Sequence, residues 1–184
     1  MIERYKKIFI EDIKLIKEKK LEELLTLKDI KNDAFLLKEG IYFDDNHTCF
    51  YGFDDVNSMA ICLNFATKTY GIFLDDEFIG ITSYCYHYPL DLTRNEICIC
   101  LDKNYRSLGI GSICMSKMID ECFTNKNTKS IHLSIREDNT PSIKVAKKLG
   151  FKEYIGYKKD SIYEDLNGKT YKNKQYLLKK KANY

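Results

Sequence analysis

The chain has 184 residues, 44% of them hydrophobic and 31% charged, which fits one ordinary globular domain with a sizeable core. No apolar run approaches the about 18 residues of a membrane span, and "MIERYKKIFIEDIK" is not a signal peptide. Seven cysteines (49, 62, 85, 98, 100, 114, 122), odd in number and mostly within apolar runs, suggest reduced thiols in a cytoplasmic protein with no membrane partner.

The net charge of +3 hides an asymmetry. Residues 39–93 carry nine acids against one base, Lys68, and residues 144–184 carry twelve lysines against four acids. An acidic surface and a basic surface on one small domain imply two partners of opposite charge.

In chain order, "YKKIFI" suggests a short strand, and "EDIKLIKEKKLEELLTL" predicts a helix with apolar residues at Ile13, Ile16, Leu21, Leu24, Leu25 and Leu27. Residues 38–53 suggest a loop, and Asp54 or Asp55 a cap for a second helix, "VNSMAICLNFAT". "YGIFL" and "FIGITSYCY" flank Asp75-Asp76-Glu77 as a hairpin with an acidic turn. "EICICL" (96–101) reads as a central strand covered on both faces.

A glycine turn, "YRSLGIGS", then leads into a helix with Ile110, Ile113, Cys114, Met118 and Cys122 on one stripe. "SIHLSI" alternates as a strand. "DNTPSIKVAKKLGF" reads as a capped helix, with Thr140 at the N-cap, Pro141 at the first helical position and Gly150 past the end. "FKEYIGYKK" and "KQYLLKK" are two more strand candidates. The order predicts a single α/β domain around one mixed sheet.

The glycine turn carries the first chemistry. A helix N-terminus has unpaired amides and about half a positive charge, and glycines let a ligand approach the backbone closely. With Arg106 at its mouth, this stretch predicts a phosphate or pyrophosphate at residues 106–112. A Rossmann fingerprint lacks its third glycine here, and a P-loop lacks its lysine after Gly111. A tight turn holding no ligand is the alternative on the two glycines alone.

"NEICICLDKNYRSLGIGS" followed by "DNTPSIKVAKKLGF" resembles the acetyl-CoA-binding half of the GNAT superfamily of N-acetyltransferases. The pattern [RQ]-x-x-G-x-[GA] is matched by Arg106, Gly109 and Gly111, and N-x-x-S with a final L-G-F by Asn139, Ser142, Leu149, Gly150 and Phe151. The details look most like enzymes that acetylate ribosomal-protein N-termini. The resemblance implies a mixed, mostly antiparallel central sheet flanked by helices. It divides the chain into acceptor-side helices and loop (1–69), an acetyl-CoA-binding core (70–151) and closing strands (152–184).

It further implies acetyl-CoA as acyl donor, with the pyrophosphate on the amides of Leu108, Gly109, Ile110, Gly111 and Ser112. The pantetheine arm would run along the strand at Ile99 and Leu101 and bond to Asn139; Arg106, Lys144 and Lys147 would face the 3′-phosphate. Glu96, heading the central strand, would be the base, with a strand-end carboxylate paired to Arg94 or solvent as the alternative. Many relatives have a tyrosine five residues before the final phenylalanine, where this chain has Ala146. Ser142 is then the candidate acid, against a first-turn serine bonding to backbone; Tyr105 and the tail tyrosines are substitutes.

No metal is expected: His47–Cys49 and Cys85–His87 put ligand types two apart, but nothing ties the pairs together. Cys98 and Cys100 read as packing residues. The acidic segment predicts a cationic primary amine as acceptor, either a small amine or a protein N-terminus. A non-catalytic CoA-binding or interaction module is the rival. The tail "LLKKKANY" reads as solvated, so no nucleic-acid partner is expected. A homodimer is plausible because edge strands of this fold often pair.

Overall fold

The computed structural model describes residues 21–30, 66–87, 91–155, 162–164 and 170–181. The elements expected at "YKKIFI", in the 38–53 loop and over most of "VNSMAICLNFAT" lie outside these residues.

A helix, α1, described over Leu21–Leu24, runs straight into strand β1 (Leu25–Asp29). The helix expected to reach Leu27 therefore ends early. Leu25 and Leu27 suit a period of two as well as a helical stripe, and the sheet decides between them: Leu25 registers with Leu74 and Leu27 with Ile72 of β2 (Lys68–Leu74). Strand β3 (Glu77–His87) follows after a two-residue turn. Asp75 (φ 49°) and Asp76 (φ 64°) both adopt left-handed backbone, so the acidic turn is of the mirror-image type that right-twisted strands favour.

Strand β4 (Asp91–Leu101) leads through a 3₁₀ turn at Lys103–Tyr105 to α2 (Ile110–Thr124). Strand β5 (Ser130–Arg136) leads to α3 (Thr140–Lys148), which is followed by β6 (Lys152–Glu153), β7 (Ile162–Glu164) and β8 (Thr170–Lys179). The sheet order is β1-β2-β3-β4-β5-β8-β6, with β7 against the start of β8. Every pairing is antiparallel except β4 with β5. The mixed, mostly antiparallel sheet is as expected; β1 and β7 were not foreseen.

Helices α2 and α3 cover one face. Met115, Met118 and Cys122 of α2 and Ala146 of α3 join Ile97, Ile131, Leu133, Ile135, Phe151 and Tyr176 in one buried cluster. Ile110 and Cys114 join Leu25, Ile72, Leu74, Leu101 and Tyr105 in a second. Met115 is buried as well, whereas Ile113, expected on the stripe, is only partly covered.

The cap of α3 stands one residue earlier than expected. Asn139 Oδ1 accepts the Ser142 amide at 3.3 Å, so Asn139 is the N-cap and Thr140 is already helical. An asparagine side chain one residue before the first turn satisfies that amide better than a threonine within it. At the far end Phe151 N–H donates to Ala146 O and Gly150 N–H to Lys147 O, with Gly150 at φ 90°. This paired closure turns Phe151 back into the core and accounts for the Leu-Gly-Phe ending.

Candidate active site

The parallel ladder between β4 and β5 is short. Arg94 registers with Ser130, Asn95 with Ile131 and Glu96 with His132; beyond that pair both strands continue without further pairing to each other. β4 stays paired with β3 as far as Leu101, and β5 stays paired with β8 as far as Arg136. The sheet therefore forks, closed at Glu96 and His132 and open at the C-terminal ends of both strands.

The amide directions follow from the neighbouring pair. Asp102 N–H donates to Ile79 O at 2.9 Å, and alternation along an antiparallel pair then turns the amides of Ile97, Ile99 and Leu101 away from β3, into the fork. Their side chains pack under α2.

Both helices begin at the open mouth. The turn into α2 holds Ser107 at φ 64° and Gly109 at φ 92°, the latter as N-cap with no side-chain cap. Arg106 Nε donates to Leu101 O at 2.9 Å, tethering the guanidinium to the last residue of β4. Ser112 and Ile113 both donate to Gly109 O, at 3.0 and 3.2 Å. This corrects one expectation: the Ser112 amide is engaged within the turn and is not directed at a ligand. The amides of Ile110 and Gly111 have no acceptor inside α2, as at any helix start. Asn139, Ser142 and the start of α3 stand at the same mouth, so two helix N-termini converge there.

The opposite face of the fork differs in chemistry. Glu96, Cys98 and Cys100 of β4 alternate onto it, as do His132 and Ser134 of β5. Gln175 Nε2 donates to Ser134 Oγ at 3.0 Å, and the His132 and Tyr154 rings meet edge to face at 6.1 Å. Burial first, and then the Glu96 charge across the ladder, push the Cys85 thiol up to about 11.

Glu96 and the glycine turn thus lie at opposite ends of the fork, separated by five residues or about 16 Å of strand. Ala146 is 1% exposed in the core, so no hydroxyl is offered there. Tyr105 is 5% exposed beneath α2, and burial with the Glu77 carboxylate nearby raises its phenol well above the ordinary range, which makes it a packing residue. Lys144 and Lys147 are exposed on α3. Among the described residues, no group of three or more His, Cys, Asp or Glu side chains gathers. The His47–Cys49 pair lies outside the described residues.

Residues 26–151 match the acetyltransferase (GNAT) family, and the chain belongs to that family. It is 40% identical over 53 residues to the L-amino acid N-acetyltransferase AaaT of Escherichia coli K12, a stretch covering 29% of this chain and 33% of that protein. The chain thus spans about a third of the length of this curated relative.

Among solved structures, the ribosomal-protein-alanine N-acetyltransferase of Brucella melitensis superposes with a TM-score of 0.68 at 19% identity, covering 85% of this chain and 99% of that one. Mycobacterium smegmatis RimJ, solved in complex with CoA-disulfide, gives 0.64 at 20% identity, covering 84% and 81%. These likenesses establish the fold. No helix among the described residues is long and apolar enough to cross a membrane.

Proposed function

We propose that the protein is an acetyl-CoA-dependent N-acetyltransferase acting on a primary amine, with a cationic small amine or a protein N-terminus as acceptor. The fork carries this reading. A polyanionic thioester needs positive potential at one end and free backbone polar groups along its arm, and the two helix N-termini and the inward amides of β4 supply both. Leu108, Gly109, Ile110 and Gly111 hold the pyrophosphate, with Arg106 beside it. Ile99 and Leu101 bond the pantetheine through their amides. With Asn139 Oδ1 engaged in the cap, only its Nδ2 is a donor for that arm.

The acyl end then reaches the closed end of the fork, where Glu96 is the base. Ser142, in the first turn of α3, stands at the open mouth with Asn139 and away from the acyl end, so the departing thiolate takes the proton that the amine nitrogen sheds. Residues 70–151 form the cofactor core, 1–69 the acceptor side and 152–184 the closing strands. The acid-rich composition of residues 39–93 supports a cationic acceptor. The five described cysteines are free thiols, which supports a reducing, cytoplasmic setting.

The test is mass spectrometry of polyamines, aminoglycosides and short peptides beginning with Ser, Ala or Asp, after incubation with the protein and acetyl-CoA. Gain of one acetyl group by one class is expected. The buried Ala146 favours a second reading, a CoA-binding module without catalysis. Acetyl-CoA binding with no product in any class would support that module instead.

A further inference from the structure

Ser134 stands on β5 two residues, about 7 Å, past the closed rung of the fork and on the face that carries Glu96. It is the first residue of β5 on that face with no pairing to β4 across the gap. The side chain is half-buried, and Gln175, its direct partner on β8, donates from Nε2 to Ser134 Oγ at 3.0 Å. Gln175 is the only glutamine in the chain. A serine hydroxyl has one proton and two lone pairs. The Gln175 amide occupies one lone pair, which leaves the proton and the second lone pair for what enters the fork.

A cross-strand polar pair adds only about 0.2–1 kcal/mol to a sheet. Here it also holds a hydroxyl beside the position to which the acyl end is assigned. The acyl step needs such a group. The amine nitrogen and the sulfur share one carbon, and a proton passing directly between them must cross a strained four-membered ring. A hydroxyl between them closes a six-membered ring in which both transfers run close to linear. The other hydroxyls considered are placed elsewhere: Ser142 at the open mouth, and Tyr105 beneath α2.

We propose that Ser134 is a catalytic residue that relays the proton from the amine nitrogen to the departing sulfur, with Gln175 as its positioning residue. The inference rests on the acetyltransferase reading of the fork. Glu96 removes the first proton from the acceptor ammonium and passes it to solvent. As the C–N bond forms and the C–S bond breaks, Ser134 Oγ takes the second proton from nitrogen and gives its own to sulfur. The serine ends the step unchanged, and the products are the amide and the free thiol. Gln175, donating to Oγ throughout, keeps the hydroxyl proton pointed away from β8 and into the fork.

The first test needs no turnover. The side-chain amide of the single glutamine is followed by NMR in the full chain with labelled glutamine, and its signal is assigned by its loss in Gln175→Met. CoA, whose sulfur meets the Ser134 hydroxyl, should shift this signal. Desulfo-CoA, which lacks the sulfur, should leave it near its free position, and CoA should not shift it in Ser134→Ala. The second test is kinetic, with spermine and a Ser-initiated hexapeptide as acceptors. Ser134→Ala should lower kcat about 100-fold, with acetyl-CoA binding by calorimetry within about twofold. Ser134→Thr, which keeps the hydroxyl, should restore most of the lost rate. Gln175→Met should lower kcat by a smaller factor, and the double variant should be no slower than Ser134→Ala alone.

Equal shifts of the Gln175 signal with CoA and desulfo-CoA, or an unchanged kcat in Ser134→Ala, overturn the relay. Should Ser134→Ala fail to fold, the comparison of CoA with desulfo-CoA on the wild type decides by itself. Absence of product with the wild type overturns the transferase reading and the relay with it, whereas an active wild type matched by Ser134→Ala overturns the relay alone.

Discussion

Lys68 of β2 donates to Glu121 of α2 across 2.7 Å, and the Tyr70 hydroxyl reaches the same carboxylate at 3.3 Å. The three residues tie the C-terminal half of α2 to a strand two places away from β4. The Lys68 ammonium holds the Glu121 carboxyl below its ordinary value of 4.5, and the carboxylate holds Lys68 above 10.5. A depressed carboxyl contributes stability above the unfolded value and loses it as pH falls through the folded one. The side chains are 42% and 36% exposed, so solvent screens the pair to at most about 1 kcal/mol. Glu121→Gln should lower the urea midpoint at pH 7 modestly, and the difference from wild type should shrink as pH falls through the depressed folded value of the carboxyl.

The two glycines of the turn should respond differently to alanine. Gly109 sits at φ 92° with nothing near its missing Cβ, so Gly109→Ala strains the backbone by about 1 kcal/mol without a clash. A Cβ at Gly111 would make an ordinary contact, 3.7 Å from Leu101 Cδ1. Gly111→Ala should therefore raise helix stability by about 0.5–1 kcal/mol. If the turn holds the pyrophosphate, both changes weaken acetyl-CoA binding, and Gly111→Ala separates ligand affinity from stability. Thermal melts and calorimetry on the two variants check this.

Burial pushes the thiols of Cys85 and Cys114 up to about 11 and that of Cys122 up to about 12. Thiolate is the reactive form, so native protein treated with iodoacetamide at pH 8 should resist alkylation at these three positions. Peptide mapping by mass spectrometry after brief treatment is the measurement, with urea-unfolded protein as the fully reactive control.

Restoring the tyrosine that many relatives carry should fail here. Ala146 is packed among Leu133, Phe151 and Tyr176, and a phenol ring there overfills the core. Ala146→Tyr should cost about 1–3 kcal/mol or more and bring no gain in turnover. A stable variant with faster acetyl transfer would show that the core opens to admit a side-chain acid.

Much of this architecture was legible because local chemistry and tertiary packing agree. The Asp75-Asp76 turn, the glycine entry to α2 and the Leu-Gly-Phe exit from α3 each follow from backbone preferences of a few residues. Strand β1 was not legible, because Leu25 and Leu27 satisfy both periods and only the register with Ile72 and Leu74 selects one. The three-residue β7 is too short to show a pattern at all, whereas β6 lies within the strand candidate "FKEYIGYKK". At the site, the spacing of Arg106, Gly109 and Gly111 was readable. The engagement of the Ser112 amide and the pairing of Glu96 with His132 were not, since they depend on turn closure and on the register between strands more than thirty residues apart.

The position of β8 bears on how the protein is made. Residues 170–179 come late in the chain yet lie between β5 and β6 and also pair with β7. On a ribosome, β1 to β4 with α2 can assemble as each strand emerges and β5 can then pair on one side with β4, whereas β6 and β7 must wait for this late segment. Until it arrives, β5 exposes an edge rich in isoleucine and leucine, a template for pairing with another nascent chain. A chain truncated before residue 170 should therefore aggregate, and the full chain should not.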